Sequence, residues 1–363
     1  MAFYLSRFLP LGAKLTLNTA PETDARELPA TMSALILESP GNLQLETVPV
    51  PMPGPGELLV RVRAATTCGT DLKAYLRGHP MIPMPGPLGH EYSGVVFAAG
   101  PSAPFQVGDA VMGVHSAPCQ TCFWCQRGQE NLCDSIMETK VLGSYAEYLL
   151  IPSRIAKLNV FPKPPEISFE IASLLEPFSC VAQAISMLEL RSDTTALVIG
   201  PGAIGLMFVA GLRAMGLTDV TLAGRNEARL AVGKTLGANI CQVSNIPSGD
   251  PHRFDLVIEC TGQVEVWEKS VDYSRRGGKV VLFGGCASGT RASFDTKRLH
   301  YDQIELLSPF HFGTKAVRLA REWLLNPSLD LSPLISGTRS LSEGAKVLDD
   351  LQAGKGIKYV FKP

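Results

Sequence analysis

Residues 194–205 read Thr194-Thr-Ala-Leu-Val-Ile-Gly200-Pro201-Gly202-Ala203-Ile204-Gly205. The unbroken apolar run has the pattern of a strand buried on both faces, as in a parallel sheet. It runs directly into three glycines at G-x-G-x-x-G spacing, and an apolar helical stretch, Leu206 to Met215, follows at once. Strand, glycine turn and helix are the context a dinucleotide fingerprint requires. The glycines let the backbone approach a pyrophosphate, whose charge then sits on the helix N-terminus. Gly200, Gly202, Ala203, Ile204 and Gly205 are therefore candidate cofactor-binding residues.

The alternation continues downstream. Asp219-Val-Thr-Leu-Ala, Asp255-Leu-Val-Ile-Glu, Gly278-Lys-Val-Val-Leu-Phe and Gln303-Ile-Glu-Leu-Leu-Ser read as strands, with helices expected over Glu227 to Leu236 and Val264 to Arg275. The pattern predicts an α/β, doubly wound parallel sheet with ligand loops after its strand ends, which adds Thr261, Gly284 and Pro309 to the cofactor candidates. An unphosphorylated adenosine ribose calls for a carboxylate about 20 residues after the fingerprint. Gly224 stands there instead, followed by Arg225 and, one helical turn on, Arg229. With no acid to repel a 2′-phosphate and guanidinium groups to pair with it, the pocket predicts NADP over NAD.

Upstream, from Ser33 to about Pro177, short apolar runs broken by Pro and Gly predict a β-rich barrel or sandwich. One extended connection in it carries Cys68-Gly69-Thr70-Asp71 and Gly89-His90-Glu91. Thiol, imidazole and carboxylate together suit a catalytic zinc with one position left open. Cys119-x2-Cys122-x2-Cys125-x7-Cys133 follows, and four thiolates at that spacing close a tetrahedral shell around a structural zinc. A helical stretch, Phe169 to Leu190, then carries Glu176-Pro177 and Cys180.

The 363 residues allow two full domains, and the net charge of -1 shows no bias toward nucleic acid or acidic lipid. No apolar run approaches membrane-spanning length. Nine cysteines, four of them clustered in a chain this large, point to metal in a reducing, cytoplasmic setting rather than to disulfides. Residues 1–31 lack the h-region and cleavage site of a secretory signal and are expected to be a disordered or non-native leader. The tail carries a helical pattern, Leu341 to Leu351, and a closing strand in Lys355-Gly-Ile-Lys-Tyr-Val-Phe. His79, His115, His252, His300 and His311 lack ligand-spaced partners, so loop or surface roles are expected. Cys241, Cys260 and Cys286 are expected to pack.

In combination and order, these motifs resemble the zinc-dependent medium-chain dehydrogenases/reductases, the alcohol dehydrogenase superfamily, in their polyol and threonine dehydrogenase branch. The resemblance covers about Met32 to Pro363. It implies a GroES-like catalytic domain (32–185, with the zinc lobe at 119–133), a Rossmann domain (186–326) and a return to the catalytic domain (327–363). It also implies a homodimer or homotetramer with an alcohol or polyol substrate and no nucleic-acid or membrane partner. By position, Cys68 and His90 become catalytic zinc ligands, Glu91 a ligand or exchangeable carboxylate behind them, Glu176 the ligand where alcohol dehydrogenases have Cys, and Thr70 the relay hydroxyl. Cys180 is expected to be a packed helix cysteine. The implied reaction is hydride transfer from a zinc-activated secondary alcohol to NADP. Lys73 departs from the family, whose members often carry a His there that extends the proton path. It leaves proton exit to water, contact with an acidic substrate, or a solvated surface lysine. The rival readings are a zinc-free NADPH quinone or enone reductase and a non-catalytic NADP-binding sensor; Cys68, His90 and Glu176 together argue against the first.

Overall fold

The computed structural model describes residues 28–246 and 254–363, so most of the expected leader, and His252, lie outside the described residues. The fingerprint strand, Ala196–Ile199, is central in a six-stranded parallel sheet. Its spatial order is Asn239–Gln242, Val220–Gly224, Ala196–Ile199, Phe254–Glu259, Ser274–Leu282, Glu305–Leu307. Every neighbouring pair is parallel, and the order reverses on either side of the first strand, which opens a crevice at the strand C-termini. The helix Ala203–Ala214 leaves the glycine turn and buries Leu206, Met207, Phe208 and Val209 against the sheet.

Two details differ from the sequence expectation. The helix expected over Val264 to Arg275 stops at Ser270, and the next strand begins at Ser274. Arg275 is drawn into the sheet by Asp255, with Nε 3.1 Å from Oδ1. The edge strand Asn239–Gln242 carries no apolar run, because an edge strand this exposed buries too little to need one.

The second body is built on Leu58–Thr66, which pairs antiparallel with Tyr92–Ala99, Tyr148–Ile151 and Lys358–Phe361. The chain's last strand thus lies beside the strand that leads into Cys68, with Val360 opposite Thr66. A separate small sheet joins Thr31–Ser39 to Asn42–Pro49 and Gly86–Pro87. The stretch expected to be helical from Phe169 divides into Phe169–Ala172 and Leu175–Ser186. The second helix packs against Thr314–Leu324, with the Phe178 and Trp323 rings 5.1 Å apart between the two bodies. Among the described residues no helix is long and apolar enough to cross a membrane.

Phe178 is fully buried at this junction. Phe178→Ala is expected to lower unfolding free energy by about 3–5 kcal/mol, read by urea denaturation; a loss below about 1 kcal/mol would contradict the packing described.

Candidate active site

Cys68 follows the strand Leu58–Thr66 by two residues and caps the helix Gly69–Arg77. The Thr70 N–H donates to its Sγ at 3.4 Å, while its own N–H donates to Asp71 Oδ2 at 3.1 Å. Asp71 is fully buried, accepts from the Tyr145 hydroxyl, and holds its Oδ1 3.2 Å from His90 Nδ1. The far side of the ring, Nε2, lies 3.9 Å from Glu176 Oε2. A carboxylate behind an imidazole fixes ring orientation and leaves the opposite nitrogen to face a ligand. Burial would lower His90, but Asp71 and Cys68 hold it well above the usual imidazole range.

Ligand atoms of Cys68, His90 and Glu91 lie within 4.8 Å of one another. Glu91 has both oxygens committed: Lys358 Nζ approaches them at 2.8 and 2.7 Å, and the Thr66 hydroxyl donates to Oε2. Burial pushes its carboxyl up to about 7 even against this ammonium. Glu91 is thus held within the cluster by Lys358 and Thr66, and Glu176 approaches the same ring from its Nε2 side.

The residues fit a divalent cation by their donor chemistry. The Cys68 thiol and His90 imidazole, with the Glu91 and Glu176 carboxylates beside them, offer the sulfur, nitrogen and oxygen donors that suit zinc. Lys358 and His90 are the positive groups that face the buried carboxylates.

Two histidines expected in loop or surface roles belong to this cluster. The His115 ring packs edge-on to His90 with centroids 5.1 Å apart, and its Nδ1 lies 3.2 Å from Glu176 Oε1. His311 packs edge-on to His115, and its Nε2 is 2.6 Å from the Ser116 hydroxyl. Burial would raise the Glu176 carboxyl, but His115, with His90 and His311 beyond it, brings it down to about 2. Burial keeps His311 down at about 3, so it stands there neutral. Neither histidine has a nearby partner in sequence, so spacing held no signal for them. Cys180, one helical turn beyond Glu176, has its Sγ 3.8 Å from Oε1, and burial holds its thiol well above the ordinary range.

In the lobe, the sulfurs of Cys119, Cys122, Cys125 and Cys133 lie within 4.8 Å of one another. The Thr121 hydroxyl and N–H, with the Cys122 N–H, donate to Cys119 Sγ and bring its thiol down to about 5. Burial, with Cys122 beside it, pushes Cys125 up to about 12. Four sulfurs this close ionise together only around a cation, so the donor set also fits a metal.

At the nucleotide turn, Gly200 adopts φ +108°, a region that favours glycine. A Cβ on Gly205 would stand 2.0 Å from the Gly200 carbonyl oxygen, whereas one on Gly202, which caps the helix, would meet nothing within 4 Å. The helix start is thus open on the side where a phosphate would lie. The neighbouring loops are tightly built. Thr261 donates to Glu259 through its N–H and hydroxyl, and Trp267 Nε1 donates to the Gly284 carbonyl at 2.9 Å. Pro309, half-buried, follows the last strand. Arg225 is exposed beside Gly224. Arg229 is a correction: its Nε and Nη2 donate to the carbonyls of Gly356 (3.0 Å) and Gly354 (3.3 Å), so its guanidinium is committed to the loop before the last strand.

Family models for the alcohol dehydrogenase GroES-like domain and for the zinc-binding dehydrogenase match residues 54–164 and 203–326. An L-threonine 3-dehydrogenase of Chromobacterium violaceum is 30% identical over 350 residues, 90% of this chain and 98% of that protein. The chain belongs to the alcohol dehydrogenase superfamily of medium-chain dehydrogenases/reductases. D-arabinitol dehydrogenase 1 of Uromyces fabae is 28% identical over 93% of this chain and 98% of its own. A zinc-binding dehydrogenase of Sinorhizobium meliloti, solved bound to NADP, superposes with a TM-score of 0.84 at 28% identity, covering 92% of this chain and 100% of that one.

In this dehydrogenase the cleft between the two bodies is bridged by named side chains. Lys73, on the Cys68 helix, donates to the Gly285 carbonyl at 3.2 Å in a solvent-exposed bond across the cleft. From the cysteine lobe, Glu130 Oε2 accepts from the Thr314 N–H (2.8 Å) and hydroxyl (2.6 Å), and Asn131 Nδ2 donates to the Phe310 carbonyl at 3.0 Å. These bonds fix both ends of the segment that presents His311. Glu130→Ala removes a carboxylate cap worth about 1–2 kcal/mol. It is expected to lower the thermal midpoint by several degrees and to raise KM for the alcohol, with the metal content of the lobe unchanged; an unaltered midpoint and KM would show that the brace is idle.

Proposed function

We propose that this dehydrogenase oxidises the secondary alcohol of a polyol, sugar alcohol or hydroxy amino acid to the ketone, passing hydride to NADP. Cys68, His90 and Glu176 would hold a catalytic zinc, with Glu91 behind them, and Cys119, Cys122, Cys125 and Cys133 a structural one. What carries this reading is the set of sulfur, nitrogen and oxygen donors that Cys68, His90, Glu91 and Glu176 bring together in one buried cluster. The relatives' names, arabinitol and threonine dehydrogenases, support a hydroxyl-bearing polar substrate over a simple primary alcohol.

Zinc supplies a Lewis acid that lowers the pKa of a substrate hydroxyl. The protein's own groups do the rest. Asp71 holds the His90 ring so that Nε2 faces the cluster, and Lys358 with Thr66 holds Glu91. Thr70, two residues beyond Cys68, would take the substrate proton toward solvent. Neutral His311 and His115 offer ring nitrogens to further substrate hydroxyls. Gly202 and the start of the helix Ala203–Ala214 receive the cofactor pyrophosphate, and exposed Arg225 the 2′-phosphate.

Two experiments test this. Elemental analysis is expected to give two zinc ions per chain, one in Glu176→Ala and two in Cys180→Ala; two in the Glu176 variant would overturn the ligand assignment. Nicotinamide reduction, followed with NADP and NAD in parallel across secondary alcohols, polyols and threonine, is expected to favour NADP by at least tenfold in kcat/KM. Equal or better turnover with NAD would refute the cofactor assignment.

A further inference from the structure

The absence of a carboxylate at position 224 has a local steric cause. Gly224 ends the strand Val220–Gly224 in register with Gln242 of the edge strand, and its φ lies outside the left-handed region. The backbone there would accept any L residue, so the glycine answers to a neighbour. That neighbour is Pro201, the second residue of the fingerprint. A Cβ on Gly224 would stand 2.3 Å from Pro201 Cγ, 2.4 Å from Cδ and 3.3 Å from Cβ. Most side chains would rotate away from such a contact. A pyrrolidine ring closed onto its own backbone nitrogen cannot, beyond a change of pucker. Nor is the turn free to move. The preceding Gly200 is set at φ +108°, and its N–H donates to the Ala223 carbonyl at 2.9 Å, one residue before Gly224. The ring is thus clamped over the end of the second strand by the same turn that faces the pyrophosphate.

We propose that Pro201 and Gly224 form a matched steric pair that sets ribose recognition: the proline ring occupies the space of a side chain at 224 and so excludes the acid that would read an unphosphorylated 2′-hydroxyl. A carboxylate introduced at 224 alone does not create an NAD site. It displaces the phosphate-binding turn and weakens both cofactors, because the shift reaches the pyrophosphate that both share. Removing the ring opens the space first. Arg225, exposed beside this gap with no carboxylate paired to it among the described residues, then remains as the charged group next to the ribose. The inference rests on the NADP reading for its consequence, but its steric core does not.

The test is a cycle of Gly224→Ala, Pro201→Ala and the double variant, read by calorimetric binding of NADP and of NAD to the zinc-loaded protein and by thermal midpoint without nucleotide. Gly224→Ala is expected to weaken both nucleotides by about tenfold and to lower the midpoint, as overpacking does; the double variant is expected to recover most of both losses. Wild-type binding in Gly224→Ala, or no recovery in the double variant, overturns the pair whichever nucleotide the native protein prefers. Gly224→Asp with and without Pro201→Ala then examines the consequence. The double change is expected to move the NAD to NADP affinity ratio at least tenfold toward NAD, while the single change leaves the ratio near its native value with both affinities reduced. A native protein that binds NAD more tightly than NADP refutes the cofactor reading while the alanine cycle still judges the pair. An alanine cycle without coupling in a protein that prefers NADP refutes the pair alone.

Discussion

Asp71 and Glu176 are buried on opposite sides of the His90 ring with Glu91 beside it, and Lys358 is the one buried ammonium among the described residues. Removing three carboxylates from water costs several kcal/mol each unless positive charge and hydrogen bonds replace the solvent. Much of the architecture around the cleft can be read as meeting that demand. The Tyr145 hydroxyl and the Cys68 N–H donate to Asp71 Oδ2 while Oδ1 faces the His90 ring, Thr66 and Lys358 satisfy Glu91, and His115 lies against Glu176. The Cys68 and His90 donors, with Glu176 across from the ring and Glu91 beside them, are where a cation would sit.

These groups come from distant parts of the chain. The strand and helix around Cys68, the turn at His90, the helix that starts at Leu175 and the final strand each bring one or two, and Lys358 is 267 residues from Glu91. The chain must therefore leave the β-rich body, build the parallel sheet and come back before the site is complete. The return is made firm by backbone pairing of Phe361 with Ala65 and Val360 with Thr66.

Contacts that cross the cleft come from both ends of it. Lys73 reaches Gly285 near the strand ends, Arg229 grips the carbonyls of Gly354 and Gly356 just before Lys358, and Glu130 and Asn131 hold the segment that carries His311. The cysteine lobe is thereby connected to the active-site wall. Arg229 connects the adenosine end of the nucleotide crevice to the strand that delivers the buried ammonium.

Much of this was legible in the sequence where the physics is local. The buried strand before Gly200, the glycine spacing, the helix after it and the four cysteines all depend on neighbours a few residues away, and periodicity or spacing expresses such dependence directly. Elements whose limits depend on distant partners were less legible: the helix after Gln263 is cut short where Arg275 is drawn to Asp255, and the short edge strand at Asn239 carries no pattern because it buries so little. Residue types alone separated neither His115 and His311 from ordinary loop histidines nor Arg229 from a phosphate ligand. The partner of His311 is 195 residues away and that of Arg229 more than a hundred, and which of several charged or aromatic groups faces the cleft is decided by how two bodies pack. Local order, candidate ligand chemistry and the fold class thus belong to the sequence. The balance of buried charge, the neighbours of Glu176 and the proline ring over Gly224 belong to the tertiary structure, because each is a contact between segments that the chain brings together only when folded.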